Sequence, residues 1–249
     1  MNNTLVIVPT YNERENLPKL AERLAQLPIP VDLLLVDGNS TDGTAQFADQ
    51  LAARNPAVHV LHETAKSGLG RAYLAGFAWA LQRHYEFILE MDSDLSHDPD
   101  DIPRFVQAAQ NADLVLGSRY CNGIRILNWP LKRLLLSMGA GRYVQIITGM
   151  PFTDPTGGYK CFRRRTLQAL GLDTIRSRGY SIQLELTHKV WQLGMKIVEI
   201  PIVFTERTEG VSKMSRDIFW ESLALVWKLW IECGFRRSPR VKPGENPVK

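Results

Sequence analysis

The chain has no long hydrophobic run. A helix that crosses a bilayer needs about 20 consecutive apolar residues, and no such stretch occurs in the 249 residues, so the chain is not expected to span a membrane. Met1-Asn2-Asn3-Thr4 has none of the charged and apolar regions of a signal peptide, which makes the cytosol the expected compartment. Cysteine is scarce. Cys121, Cys161 and Cys233 are odd in number, far apart and without metal-ligand spacing, which argues against a disulfide framework or a cysteine metal site. Neither charge dominates: the formal net charge of +4 does not call for a nucleic-acid partner. Ser67-Gly68-Leu69-Gly70 has two glycines but lacks the third of a dinucleotide fingerprint, so a nicotinamide cofactor is not expected. No repeat or low-complexity tract interrupts the chain, whose length suits one large α/β domain or two small ones.

What is present alternates between two periods. Leu5-Val6-Ile7-Val8 is a short apolar run ended by Pro9 and predicts a buried strand. Asn12 and Glu15 have the spacing of a capping box, and Leu17, Leu20, Leu24 and Leu27 follow at helical intervals. Further strands are predicted at Leu33–Val36, Val58–Leu61, Phe87–Met91 and Leu114–Leu116, with a helix capped by Thr41 and another running to Leu81. Strands alternating with helices of this length predict a mostly parallel sheet with helices on both faces. Ligands of such sheets bind beyond the carboxyl ends of the strands, where Pro9, Asp37 and Asp92 fall.

The fourth strand stops on Asp92-Ser93-Asp94. In an extended segment residues i and i+2 point the same way, so both carboxylates can face one partner. Like charges held together need neutralising, and hard divalent ions are commonly held by one or two carboxylates plus substrate phosphates. A metal-diphosphate site is one reading; an acidic loop is the other, because Asp98, Asp100 and Asp101 follow at once. Asp37 can accept hydrogen bonds from a nucleobase, or serve as a turn residue in Asp37-Gly38-Asn39-Ser40-Thr41-Asp42-Gly43.

The second half is less regular. Ile197 to Phe204 predicts a strand in which Pro201 marks an edge or a bulge. Leu131–Met150 and Ile218–Phe235 predict unusually apolar helices. In the latter, Asp217, Glu221, Lys228 and Glu232 fall within roughly 60° of arc, with Trp220, Trp227 and Trp230 opposite. Such a helix suits a membrane interface, where tryptophan is favoured, or packing on the domain. Arg236, Arg237, Arg240 and Lys242 just beyond suit phosphate or an anionic lipid surface, whereas Arg163-Arg164-Arg165 reads as a solvated face.

Six segments in order carry a family resemblance: Pro9-Thr10-Tyr11-Asn12-Glu13, Val36-Asp37-Gly38-Asn39-Ser40-Thr41-Asp42-Gly43-Thr44, Met91-Asp92-Ser93-Asp94-Leu95-Ser96-His97, Gly117-Ser118-Arg119-Tyr120, Asp154-Pro155-Thr156-Gly157-Gly158-Tyr159, and Phe204-Thr205-Glu206-Arg207-Thr208-Glu209-Gly210-Val211-Ser212-Lys213. The first three resemble family 2 inverting glycosyltransferases, and the rest narrow the resemblance to dolichol-phosphate (polyprenol-phosphate) mannose synthases, from about residue 4 to about residue 215.

The resemblance implies a nucleotide-sugar-binding, Rossmann-like fold of the GT-A type over residues 1–215; beyond it, composition sets off an amphipathic helix over 216–235, membrane-interfacial or packed on the domain, and a basic flexible tail over 236–249. It implies that Pro9, Tyr11, Glu13 and Asp37 line the nucleotide pocket with Lys66 near the base, and that Arg207 and Lys213 close over the donor diphosphate. Asp92 and Asp94 would hold Mg²⁺ or Mn²⁺ with Ser96, which stands where many relatives carry glutamine. Arg119 and Arg133 would clamp an acceptor phosphate. Glu185 lies where relatives acting on sugar hydroxyls carry a catalytic acid; here a positioning role is expected, as is a structural one for His97.

The expected reaction moves mannose from GDP-mannose to a polyprenyl phosphate with inversion, on the cytoplasmic face of a membrane to which the chain binds peripherally or through an integral membrane anchor protein. Transfer of glucose from UDP-glucose, transfer to a sugar hydroxyl, or nucleotide-sugar binding without turnover are the rivals.

Overall fold

The structure is a computed structural model that describes residues 2–177, 179–206, 216–235 and 239. The chain runs β1 (Thr4–Thr10), α1 (Leu17–Ala25), β2 (Asp32–Asp37), α2 (Thr44–Arg54), β3 (Val58–His62), α3 (Leu69–Leu81), β4 (Phe87–Glu90), α4 (Ile102–Ala109) and β5 (Leu114–Ser118). It continues through β6 (Ile126–Leu127), α5 (Leu131–Thr148), β7 (Lys160–Arg163), α6 (Arg164–Leu170), α7 (Ile182–Gln192), β8 (Ile197–Pro201), β9 (Phe204–Thr205) and α8 (Arg216–Glu232). Seven strands form one sheet in the order β3-β2-β1-β4-β7-β5-β8. Only β7 runs antiparallel to its neighbours, and β6 and β9 pair separately.

Both faces of the sheet are covered, which is why its strands read as continuous apolar runs. Successive strand residues point to opposite faces. Leu5 and Ile7 therefore join the core under α3, α6 and α7, while Val6 and Val8 join the one under α1, α2 and α4. Helix α3 lies close on β1 because Gly76 has no side chain; a Cβ there would come within 2.6 Å of Ile7 Cγ2. Val226 and Leu229 of α8 belong to the first core, so this helix packs on the domain along one side.

Several local expectations are corrected. Strand β1 continues through Pro9, which pairs with Val36. Ile7 faces β4 and accepts Met91 N–H at 3.1 Å, beyond the last pairing, Ile7 with Glu90. Pro9 faces the same side two residues on, where β4 has already ended, so its missing N–H breaks no ladder bond. Asn12 caps no helix. It takes φ +57°, its N–H donates to Ser40 Oγ and its Oδ1 accepts Thr41 N–H, both at 3.0 Å. Asp42 rather than Thr41 satisfies the start of α2, accepting Thr44 N–H at 3.0 Å. The expected strand over 197–204 splits at Ile202 and Val203 into β8 on the sheet edge and β9. Strand β7 and helices α6 and α7 were not expected.

Candidate active site

The carboxyl ends of β1, β2 and β4 open into a cavity of about 640 Å³. Pro9, Tyr11, Glu13, Lys66, Asp92, Asp94, Ser96, Arg119 and Arg133 all line it. Arg207 and Lys213 lie outside the described residues.

The aspartate turn is built tightly. Asp92 N–H donates to His97 Nδ1 at 3.1 Å, and Ser96 N–H donates to Asp94 Oδ1 at 3.1 Å. Leu95 between them takes φ +60°, a left-handed conformation that a bulky residue adopts only when its surroundings hold it. His97 stacks on Tyr159 with ring centroids 4.8 Å apart. Burial lowers its pKa despite the neighbouring Asp92 and Asp94 carboxylates, so it stays neutral and acts as a structural acceptor for the turn.

The residues present fit a divalent cation. Ser96 is 4% exposed, and its Oγ has no hydrogen-bond partner among the described residues. An orphaned hydroxyl beside two carboxylates is a hard oxygen set of the kind Mg²⁺ and Mn²⁺ take. No group of three His, Cys, Asp or Glu among the described residues could hold an ion alone.

Also on the cavity wall, Arg119 is gripped by Asp154. Its Nε and Nη2 donate to the two carboxylate oxygens at 2.7 and 2.8 Å, and its backbone N–H donates to Asp154 Oδ2 at 3.1 Å. Burial opposes the charge on Arg119, but the Asp154 carboxylate raises its pKa above the ordinary arginine value. Burial likewise raises the Asp154 carboxyl, and Arg119 outweighs it, leaving it below its usual range. Only Nη1 of Arg119 is left without a place in this fork. Arg133 lies 4.1 Å over the ring of Trp129 and pairs with Glu206. An anion arriving there competes with Glu206 for the guanidinium.

Elsewhere on the wall, Lys66 Nζ lies 3.7 Å over the Tyr11 ring. Glu13 N–H donates to Thr44 Oγ1 at 2.9 Å, which ties the end of β1 to the start of α2. Asp37 does not line the cavity. It is 1% exposed; its Oδ2 accepts Ser40 N–H at 3.2 Å, and its Oδ1 has no partner among the described residues. Gly38 and Glu63 face the cavity beside it.

Beneath the site is a buried polar layer. Lys160 Nζ donates to the Gln183 carbonyl and to Gln183 Oε1, each at 2.6 Å. Burial pushes the Glu90 carboxyl up to about 7, against the Lys160 ammonium and Gln183 amide that pull it down. Burial lowers Lys160 to about 8, against Glu90 and Asp154. Glu185 is absent from the cavity wall: its carboxylate accepts the N–H groups of Arg176 and Ser177, the latter at 2.9 Å. It pins the loop before α7.

Asp154, Glu206, Glu63 and the Glu90/Lys160 layer escaped the sequence reading. Asp154 lay within a quoted segment, and the only usable signal was that a buried arginine needs a carboxylate.

A mostly parallel sheet with a carboxylate pair at its edge and arginines lining the same cavity suits the handling of a diphosphate-activated group. The Glycosyl transferase family 2 model matches residues 5–171, and the chain belongs to that family. It is 47% identical over 222 residues to the undecaprenyl-phosphate mannosyltransferase of Micrococcus luteus, covering 89% of this chain and 91% of that protein. It is 48% identical over 225 residues to the polyprenol monophosphomannose synthase of Mycolicibacterium smegmatis, covering 90% and 85%. Among solved structures, a mannosyltransferase from Pyrobaculum calidifontis in complex with GDP-Man and Mn²⁺ shares the fold with a TM-score of 0.61 and 19% identity, over 97% of this chain and 66% of that one. The architecture is the GT-A-like α/β fold. No helix among the described residues is long and apolar enough to cross a membrane.

Proposed function

We propose that the protein transfers mannose from GDP-mannose to a polyprenyl phosphate, forming a β-linked polyprenyl phosphate mannose. The observation that carries this reading is one cavity lined both by the Asp92/Asp94 pair and by Arg119 and Arg133. The names of the bacterial relatives point the same way.

The nucleoside would lie toward Tyr11, Glu13 and Lys66, with the diphosphate at Asp92 and Asp94. Asp92, Asp94 and Ser96 would hold a divalent ion there, and it would supply Lewis-acid stabilisation to the leaving diphosphate. The acceptor is a phosphate monoester whose second pKa is near 6, so its oxygen is already ionised at neutral pH. That oxygen forms a bond to the anomeric carbon while the bond to the donor phosphate breaks and GDP leaves with the electron pair. No proton needs to move, and no general base is required. The chain's task is to hold two anions against their repulsion. Arg119, locked by Asp154, and Arg133, released from Glu206, supply the positive charge and the direction. Glu185 is committed to backbone amides and is not offered to the acceptor as a base.

The acceptor's lipid tail requires access from a membrane. On α5, Leu131, Leu135, Met138 and Ile146 fall within about 80° of arc, and each is at least 40% exposed. Exposed Lys132 and Arg142 lie on the same helix. Trp227, Ile231 and Phe235 continue an exposed apolar surface on the outer side of α8 and just past its end. This combination suits peripheral binding to an anionic surface.

The reading is tested with a panel of radiolabelled sugar nucleotides and one polyprenyl phosphate. Label should enter lipid from GDP-mannose; efficient transfer from UDP-glucose alone would contradict it.

A further inference from the structure

We propose that Glu63 is a specificity residue that selects guanine by accepting the exocyclic amino group of the base. This rests on the reading of the cavity as a nucleoside-diphosphate-sugar site. The argument begins with the absence of a side chain at Gly38. A Cβ built there would stand 3.7 Å from Glu63 Oε2, 3.7 Å from Tyr11 Cδ2 and 3.5 Å from the Thr10 carbonyl oxygen. Gly38 is thus the floor of a slot with an aromatic ring on one wall and a carboxylate on another.

Glu63 is fixed in that wall. It follows β3 directly, its N–H donates to the Asp37 carbonyl at 2.8 Å, and its Oε1 accepts the Ser67 hydroxyl. The oxygen directed over Gly38 is the other one. Glu63 stands on the cavity wall, so the slot favours a ligand that brings a donor to this oxygen.

Carboxylates only accept, whereas lysine only donates. Guanine presents two neighbouring donors, N1–H and the 2-amino group, followed by the O6 acceptor. The amino donor fits the Glu63 carboxylate, and the O6 acceptor fits Lys66, which lines the same cavity. Uracil presents acceptor, donor, acceptor, and sets carbonyl oxygens against the carboxylate. The slot therefore discriminates by unpaired and repelling groups as well as by attraction.

The test is calorimetric binding of GDP, IDP and UDP, each with Mn²⁺, to the wild-type chain, Glu63→Gln and Glu63→Ala. IDP carries hypoxanthine, which is guanine without the 2-amino group. The wild-type protein should bind GDP about tenfold more tightly than IDP, about 1.4 kcal/mol. In Glu63→Ala the GDP affinity should fall to that of IDP, while IDP binding stays within about twofold and shows that the site is still folded. Glu63→Gln, which keeps one acceptor oxygen, should fall between. An unchanged GDP/IDP ratio in Glu63→Ala, or equal loss of both ligands, overturns the assignment while leaving the mannosyl-donor reading in place. Tighter binding of UDP than GDP by the wild-type chain overturns both.

Discussion

Arg119 and Asp154 illustrate how much of this site depends on single contacts. A guanidinium buried at the acceptor side would be costly alone, and a buried carboxylate equally so; together they fix each other's geometry. Replacing Asp154 with Asn keeps the shape but removes the charge that holds Nε and Nη2. The KM for polyprenyl phosphate should rise at least about tenfold, the cost of one charge-assisted contact, with GDP affinity within about twofold. Equal loss of GDP binding, measured by calorimetry, would place Arg119 on the donor instead. For the aspartate turn, Asp94→Asn should lower turnover by about 100-fold or more, several kcal/mol of lost charge stabilisation. Circular dichroism should be unchanged, and near-normal turnover at saturating Mn²⁺ would remove Asp94 from its role.

Glu90 gives a pH signature at the same scale. Its folded pKa of about 7 lies above the unfolded value of 4.5. The folded state therefore binds the extra proton between these pH values, and stability present below pH 4.5 is lost as pH rises toward 7. Lys160, with a folded value of about 8, remains charged in both states across this window and adds no slope. Denaturant titrations from pH 4.5 to 7 should show a loss of up to about 3 kcal/mol from this group. Glu90→Gln should flatten that slope whatever it does to absolute stability; an unchanged slope would assign it to other carboxylates.

Among the elements, the strands of the first half and the apolar helices α5 and α8 were legible, whereas β7, α6 and α7 were not, for a physical reason. Leu5-Val6-Ile7-Val8 and Phe87-Ile88-Leu89 are buried on both faces, and such strands announce themselves as apolar runs. Asp92 and Asp94 were legible because i and i+2 share a direction. Strand β7 has only Cys161-Phe162 between Lys160 and Arg163, too short for any period, and its place between β4 and β5 is set by tertiary pairing. Asp154, Glu63 and Glu206 are single acids in loops, and nothing local distinguishes a buried partner of arginine from a solvated turn residue.

The C-terminal segment had two readings, and α8 has a side for each: Val226 and Leu229 enter the core, while Trp227 and Ile231 face outward. Deleting α8 would therefore expose core, and substitution on α5 is the cleaner probe of membrane contact. Leu131, Leu135 and Ile146 each bury little in the fold, so changing all three to Ser should alter stability by about 0.5 kcal/mol or less per site. Each could contribute about 1 kcal/mol when buried in lipid. Pelleting with anionic liposomes should fall at least about tenfold, and wild-type pelleting should weaken at high salt because surface charge is screened. Undiminished pelleting of the triple variant would move the contact to another face.

For the whole molecule, the account places two anionic substrates in one cavity and asks the protein for position and charge, without proton transfer. Family membership, the sheet with its carboxylate edge and the arginines in the same cavity all bear on that claim, and the identity of the nucleophile decides it. The most direct measurement offers GDP-[¹⁴C]mannose to the full chain with polyprenyl phosphate or with free polyprenol of the same length, in the same liposomes. Label should enter lipid only with the phosphate, and the product should carry a β-linked mannosyl phosphate. Comparable transfer to free polyprenol would demand a base that takes a hydroxyl proton, and would contradict the account.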